Sequence, residues 1–432
     1  MRLLLKNCCI SGREVKDILI EDGYILNIGK AFLRADETID IKGNIVLPGA
    51  IDPHVHFRDP GFTYKEDWLS GSKAAVSGGV TTVLDMPNTN PPTINETGLL
   101  EKRRAAKKSI VNYGFHFGAT EDNFLELENA KNIAGIKIFL SSNANFIIES
   151  GDALKKIFEI SKRINKPVVV HSEMDSCIKK NLEMFKNPDI FDHNKIRGRT
   201  CAIEATKLIL KLAKEIGSTL YIAHITTKEE LELIEKAKED NLKIFVEVTP
   251  NHLFLDETCL KDSGNFVKVN PPLRTAEDRE ALFKAVVEGK IDTIGTDHAP
   301  HTVSEKLKPY PLAPSGIPGV ETMMPLLINE VLEDKLSFER LEELTSKNAS
   351  RIFKIKLRGE IKEGFFADLV AVSHKETFKI ESKHLFTKAK FSPFDGKILK
   401  GRIYLTIVNG IIKFFDGKIV DESGGREVEF YE

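Results

Sequence analysis

The sequence predicts an α/β fold, a (β/α)8 TIM-like barrel with a small β-sandwich domain built from both chain ends, on three observations. Short apolar runs alternate with charge-studded amphipathic stretches from about residue 44 to 350. Polar side chains able to hold metals close several of those runs, where a barrel builds its active face. Both termini are instead rich in short strands and tight-turn dipeptides. At roughly 100 to 200 residues per domain, a chain of 432 residues accommodates a large barrel with an appendage. The expected boundaries are 1–47 and 353–432 for the two parts of the β domain and 48–352 for the barrel.

The opening RLLLKNCCI and VKDILIEDGYILNIG read as strands, with Asp22-Gly23 between apolar alternations as a hairpin turn. Eight barrel runs follow: NIVLPGAIDPHVH (44–56), GVTTVLDMPN (79–88), NYGFHFGA (112–119), GIKIFL (135–140), PVVVHSE (167–173), TLYIAHI (219–225), KIFVEVTP (243–250) and TIGTDHAP (293–300). Helical candidates between them include KEDWLSGSKAAVS, ETGLLEKRRAAKK, DALKKIFEISKRI, IEATKLILKLAKEI, KEELELIEKAKED and AEDREALFKAVVE. Eight parallel strands suffice to close a sheet on itself. The tail returns to strands in ADLVAVS (367–373) and GRIYLTIVNGIIKFFDGKIV (401–420), where Asn409-Gly410 and Asp416-Gly417 mark turns.

Composition narrows the function classes. Lys plus Arg number 62 against 64 Asp plus Glu, a net charge of −2, so nothing draws the chain to nucleic acid or an anionic membrane. No apolar run approaches the roughly 20 residues of a membrane helix, and the opening MRLLLKNCCISGREVKD returns to charge too early for a signal peptide. A cytoplasmic protein is expected. Cys8, Cys9, Cys177, Cys201 and Cys259 are odd in number and lack CxxC spacing, which argues against a disulfide framework or a thiolate zinc site and for a reducing compartment.

Six of the 11 histidines fall at the ends of the apolar runs. His54 and His56, at i and i+2, point to one side of a strand and can share a metal ion, although a lone pair of this kind is as often a solvated edge. His171, His224 and Asp297 end other runs, and imidazole with carboxylate suits Zn²⁺ while leaving a position for water. Asp297 can also accept that water's proton, so ligand and general base can be one residue. Lys137 is the odd member, because an ammonium aimed at a cation-collecting barrel top is electrostatically wrong. Carboxylation of its amine by CO₂ would give an anionic carbamate able to bridge two metals; pairing with a strand-end carboxylate is the plain alternative. Arg58 keeps the period of two from His54 and His56, so a substrate carboxylate is its expected partner, with a surface salt bridge the dull alternative. Asn88 and Asn270 sit where amides can reach that carboxylate or ring carbonyls, or serve only as turn residues. His298 should point outward and be structural, whereas His301 can reach a ligand. The proline-rich, aperiodic segment 301–318 reads as a lid or binding loop, or as a surface connection.

Taken together, PGAIDPHVHFRDPG, SGGVTTVLDMPNTNPPT, GIKIFL, VHSE, EVTPNHLFL, VNPPLR, GTDHAPH and SGIPGVET resemble the dihydroorotases of the cyclic amidohydrolase superfamily. The resemblance implies two Zn²⁺ per chain: His54, His56 and Asp297 on one, His171 and His224 on the other, and carboxylated Lys137 as the bridge. It implies substrate carboxylate recognition by Arg58, Asn88 and His301, and ring contacts from Asn270 and the backbone near Ser315 and Gly316. The implied reaction is the reversible, zinc-dependent cyclisation of N-carbamoyl-L-aspartate to (S)-dihydroorotate plus water, in pyrimidine synthesis. Homodimers, and association with aspartate transcarbamoylase, occur among such relatives. Asn251 is a departure, since many relatives carry histidine directly after that proline. Allantoinase or hydantoinase activity is the alternative within the superfamily, and Arg58 speaks against it; a non-catalytic scaffold would have lost ligand positions that are all filled here.

Overall fold

Strands from the two ends of the chain pair in a single mixed sheet. A computed structural model describes residues 1–30, 34–141 and 146–432. The sheet runs Lys418–Ile419, Ile411–Phe415, Ile398–Val408, Leu369–Lys379, Ile45–Pro48, Arg2–Ile10, Glu14–Glu21 and Tyr24–Gly29, with Glu37–Asp40 added beside Arg2–Ile10. Its hairpins turn where the dipeptides predict. Asp22-Gly23, Asn409-Gly410 and Asp416-Gly417 all adopt positive φ, as a turn with two left-handed centres requires. The pleat then gives the sheet two apolar faces. Leu369 and Ala371 join Leu3, Leu5 and Ile18 in the sheet's own core, while Val370 and Val372 enter the larger core shared with the barrel.

The barrel strands are Ala50–Val55, Val80–Asp85, Asn112–Phe115 continued by Phe117–Gly118, Ile136–Phe139, Val168–His171, Leu220–Ile222, Ile244–Val248 and Thr293–Ile294, each parallel to the next. The third is broken at His116, whose ring Nε2 faces the Pro53 carbonyl at 2.9 Å. The eighth is shorter than its apolar run. After Ile294 the chain turns at Asp297 (φ 48°), and a bridge from His298 to Val55 closes the ring, with the His56 N–H donating to the His298 carbonyl at 2.8 Å. The expected helices form at Trp68–Ser77, Glu96–Ala106, Gly151–Arg163, Arg199–Ile216, Lys228–Glu239 and Ala276–Val287. Five of the six start on an Asp, Asn, Ser or Thr whose side chain accepts from a first-turn backbone N–H: Asp67, Asn95, Ser150, Thr227 and Thr275.

Two features depart from the sequence reading. The final residues leave the end sheet: Val428 and Phe430 pack with Ile51, Leu84 and Phe353 of the barrel. Cys177 and Cys201 form a disulfide, a single pair that the reading against a disulfide framework does not anticipate. They are 24 positions apart, and the fold brings them together by setting helix Asp175–Leu182 against the start of helix Arg199–Ile216. An odd cysteine count leaves room for such a pair, with Cys8, Cys9 and Cys259 free, so cysteine usage no longer argues for the compartment. Among the described residues no helix is long and apolar enough to cross a membrane.

Candidate active site

The first barrel strand delivers His54 and His56, both buried, to the top of the barrel. Their Nε2 atoms lie 3.3 and 3.0 Å from Asp297 Oδ1. Behind them, His54 Nδ1 is 2.8 Å from Glu247 Oε1 and His56 Nδ1 is 2.7 Å from Asn88 Oδ1. The Asn88 amide oxygen can only accept, and Glu247 Oε1 already accepts from the His224 N–H at 3.1 Å, so both contacts place the hydrogen on Nδ1 and leave the Nε2 lone pairs facing inward. One ligand atom from each of His54, His56 and Asp297 thus falls within 4.8 Å of the others, the spacing a single cation needs. Burial works to raise the Asp297 carboxyl, but the surrounding imidazoles of His54, His56 and His224 outweigh it and hold the group ionised, well below the usual carboxylate range.

His171 and His224 end the fifth and sixth strands with Nδ1 and Nε2, respectively, 3.1 Å apart. The other nitrogen of His171 meets Glu173 Oε2 at 2.8 Å, and Arg197 holds that carboxylate through Nη2 at 2.6 Å. Burial lowers the basicity of His54, His171 and His224, which keeps their lone pairs available. Glu247 ties three strands together: besides His54 it accepts from the Tyr221 hydroxyl at 2.8 Å and the His224 N–H at 3.1 Å.

Lys137 lies between these groups. Its Nζ is fully buried, has no hydrogen-bond partner and stands 4.9 Å from the Phe139 ring centroid. Burial lowers its pKa to about 8, against the opposing pull of Glu247 and Asp297. The pairing offered as its plain alternative is therefore not made. Arg58, His224 and Asp297 all hold positive φ (64°, 38° and 48°), which residues with a Cβ seldom adopt. Such backbone persists where surrounding structure over-determines it, typically at functional sites.

The opposite wall carries the groups expected to read a substrate. Arg58, Asn88, Asn270, His301 and Ser315 line one 430 Å³ cavity with all six candidate metal ligands. The Asn270 side-chain oxygen is buried without a partner. Gly316 does not line the cavity. Its N–H donates to the Lys268 carbonyl at 2.9 Å, its own carbonyl accepts from Lys306 Nζ at 2.9 Å, and a Cβ there would lie 2.4 Å from the Ala299 carbonyl oxygen. Its lack of a side chain lets the loop pass behind Ser315, which itself lines the cavity. Pro314 and Ser315 make the proline-rich segment a wall of the cavity. His298 is buried, its Nδ1 accepting from the Gly319 and Val320 N–H groups, a structural task. Asn251 is buried near the start of helix Pro250–Phe254, away from the cavity lining, with its Oδ1 unpartnered.

Sequence reasoning missed Glu173, Arg197, Glu247 and Lys65, the last of which lines the cavity with its Nζ 3.1 Å from His301 Nδ1. Glu173 was legible, since it stands two residues beyond His171 and so on the same side. Glu247 was legible as a lone carboxylate in an apolar run. Arg197 and Lys65 lie in connecting segments with no periodic signal.

A family model described as the amidohydrolase family matches residues 45–420. The chain belongs to the amidohydrolase family. Amidohydrolase relatives similar to it include proteins named dihydroorotase from Methanosphaera stadtmanae, 39% identical over 95% of this chain and 96% of theirs, and from Methanothermobacter thermautotrophicus, 36% identical over 98% and 96%. Among solved structures, L-hydantoinase (dihydropyrimidinase) from Arthrobacter aurescens superposes with a TM-score of 0.94 at 29% identity, covering 99% of both chains. A D-hydantoinase from Thermus sp. gives 0.91 at 28% identity, again over 99% of each. The amidohydrolase barrel is thus common to relatives of both names, so substrate choice has to be read from the cavity wall.

Proposed function

We propose that this chain is a dihydroorotase, interconverting N-carbamoyl-L-aspartate and (S)-dihydroorotate plus water. The observation that carries the reading is Arg58. It is half-buried in the cavity beside the candidate metal ligands, where its guanidinium meets His301 Nε2 at 3.2 Å and the Pro300 carbonyl at 3.3 Å and, among the described residues, forms no ion pair with a carboxylate. Partly burying a guanidinium without a carboxylate is costly, so the substrate is expected to supply one. Dihydroorotate and carbamoyl aspartate carry that group; hydantoin and dihydrouracil rings lack it.

The donor set fits two Zn²⁺ ions. His54, His56 and Asp297 would hold one, His171 and His224 the other, and carboxylated Lys137 would join both. The fit rests on neutral, inward-facing imidazole nitrogens and on a buried lysine amine that nothing else engages. When bound, the ions supply Lewis-acid chemistry, polarising an amide carbonyl and making water acidic enough to ionise near neutral pH. In hydrolysis Asp297 accepts the proton of the attacking water as its oxygen bonds to the ring carbonyl carbon. The C–N bond then breaks, and Asp297 returns the proton to the leaving nitrogen. Arg58, Asn88 and His301 would form the site for the substrate carboxylate, while Asn270 would face the ring. Cyclisation runs the same steps backwards. The test is to compare turnover of dihydroorotate, hydantoin, dihydrouracil and allantoin by zinc-loaded protein. Dihydroorotate should exceed the others in kcat/KM by at least about 100-fold, the worth of an anion partner for a half-buried cation; preference for an uncharged ring would sink the reading.

A further inference from the structure

His301 meets a different kind of neighbour at each ring nitrogen. Nδ1 faces Lys65 Nζ at 3.1 Å, and an ammonium can only donate. Nε2 faces the Ser315 carbonyl at 3.0 Å, which can only accept. One protonation pattern satisfies both contacts: hydrogen on Nε2, lone pair on Nδ1, no net charge. Burial agrees, since with the push of Arg58, Lys65 and Lys306 it outweighs Glu305 and lowers the His301 pKa to about 3. Arg58 Nη2, 3.2 Å from Nε2, then has an N–H beside it and no acceptor there.

Lys65 is itself held firmly. Its Nζ pairs with Glu305 Oε1 at 3.0 Å and lies 5.7 and 5.6 Å from the ring centroids of Phe62 and Tyr64. Glu305 in turn accepts from the Thr302 N–H at 3.0 Å, which caps the short helix Val303–Lys306. That same oxygen, Oε2, is 3.8 Å from His301 Nδ1, so without Lys65 the ring would find an acceptor on that side instead.

We propose that Lys65 is a positioning residue that fixes His301 as the Nε2–H tautomer, whose hydrogen goes to the Ser315 carbonyl, so that Arg58 Nη2 finds no acceptor on the ring and is left free for the substrate carboxylate. The proposal rests on the dihydroorotase reading for its substrate, while the tautomer stands on contacts of the protein alone. Nitrogen-15 NMR of ring-labelled histidines in the zinc-loaded protein, with His301→Asn to assign the signal, tests it. Wild-type His301 should show a protonated Nε2 and an unprotonated Nδ1. Lys65→Met should move proton onto Nδ1 and raise KM for dihydroorotate about tenfold, the worth of one charge-assisted hydrogen bond, with a smaller change in kcat. Lys65→Arg, which keeps a donor-only cation, should restore both. A proton on Nδ1 in the wild type, or an unchanged ring in Lys65→Met, would overturn the proposal. Because the ring signals need no turnover, failure to act on dihydroorotate would count against the function and not against the tautomer.

Discussion

Arg58 and Lys137 are both basic side chains lining one cavity, the first half-buried and the second buried, but they stand in different relations to it. Arg58 borders the half of the site built from donors, so its removal should be felt in binding. Arg58→Ala is expected to raise KM for dihydroorotate by roughly 10- to 100-fold, matching the 1.5–3 kcal/mol of a hydrogen bond to a charged group. Zinc content by atomic absorption should be unchanged; parallel loss of metal would make the arginine structural. Lys137 and Asp297 stand among the imidazoles. Lys137→Ala should lose metal and turnover together, because the variant lacks the group proposed to join the two ions. Asp297→Asn keeps an oxygen ligand but loses the base, so turnover should fall by about 10²- to 10⁴-fold with circular dichroism unaltered. Wild-type-like rates in either variant would remove the assigned role.

At the scale of strands and helices, the site is an array of strand ends fixed from behind. The i, i+2 pairing of His54 and His56 was legible because a strand's pleat leaves no choice of side once Val55 enters the core. What lies behind them was not, because Glu247 reaches His54 across the barrel from a strand 193 residues later, a distance that no local pattern encodes. The same limit hid the disulfide. Cys177 and Cys201 lie on helices whose meeting depends on how residues 183–198 loop out between them. That bond closes a segment beside Glu173 and Arg197, since the Cys201 carbonyl accepts from the Met174 N–H at 3.0 Å. Cys177→Ser should therefore lower stability by about 3.5 kcal/mol, the chain-entropy value for a loop of this size. Calorimetry without reductant checks this, and an unchanged midpoint would show that the pair contributes nothing to stability.

The whole molecule is arranged so that an apolar barrel carries its polar groups at one end. The number of strands and the position of the chemistry were legible, since eight apolar runs, several closing on His or Asp and one carrying Lys137, left few other folds. How the ring closes was not: His298 forms the bridge to Val55 in place of a longer eighth strand, because the left-handed turn at Asp297 ends regular pairing early. That turn also aims Asp297 at His54 and His56, so closing the barrel and assembling the ligand set are one structural event. Metal should therefore stabilise the entire barrel and not only its mouth. By mass action, a ligand at 1,000 times its Kd adds about 4.1 kcal/mol to the folded state. Dialysis against a strong chelator should abolish turnover and lower the thermal midpoint of the whole chain in one transition. Returning Zn²⁺ should restore activity in proportion to occupancy, saturating at two ions per chain by titration calorimetry. Saturation at one ion would leave His171 and His224 outside the metal site, and chelation without effect on rate would remove the metal from the chemistry.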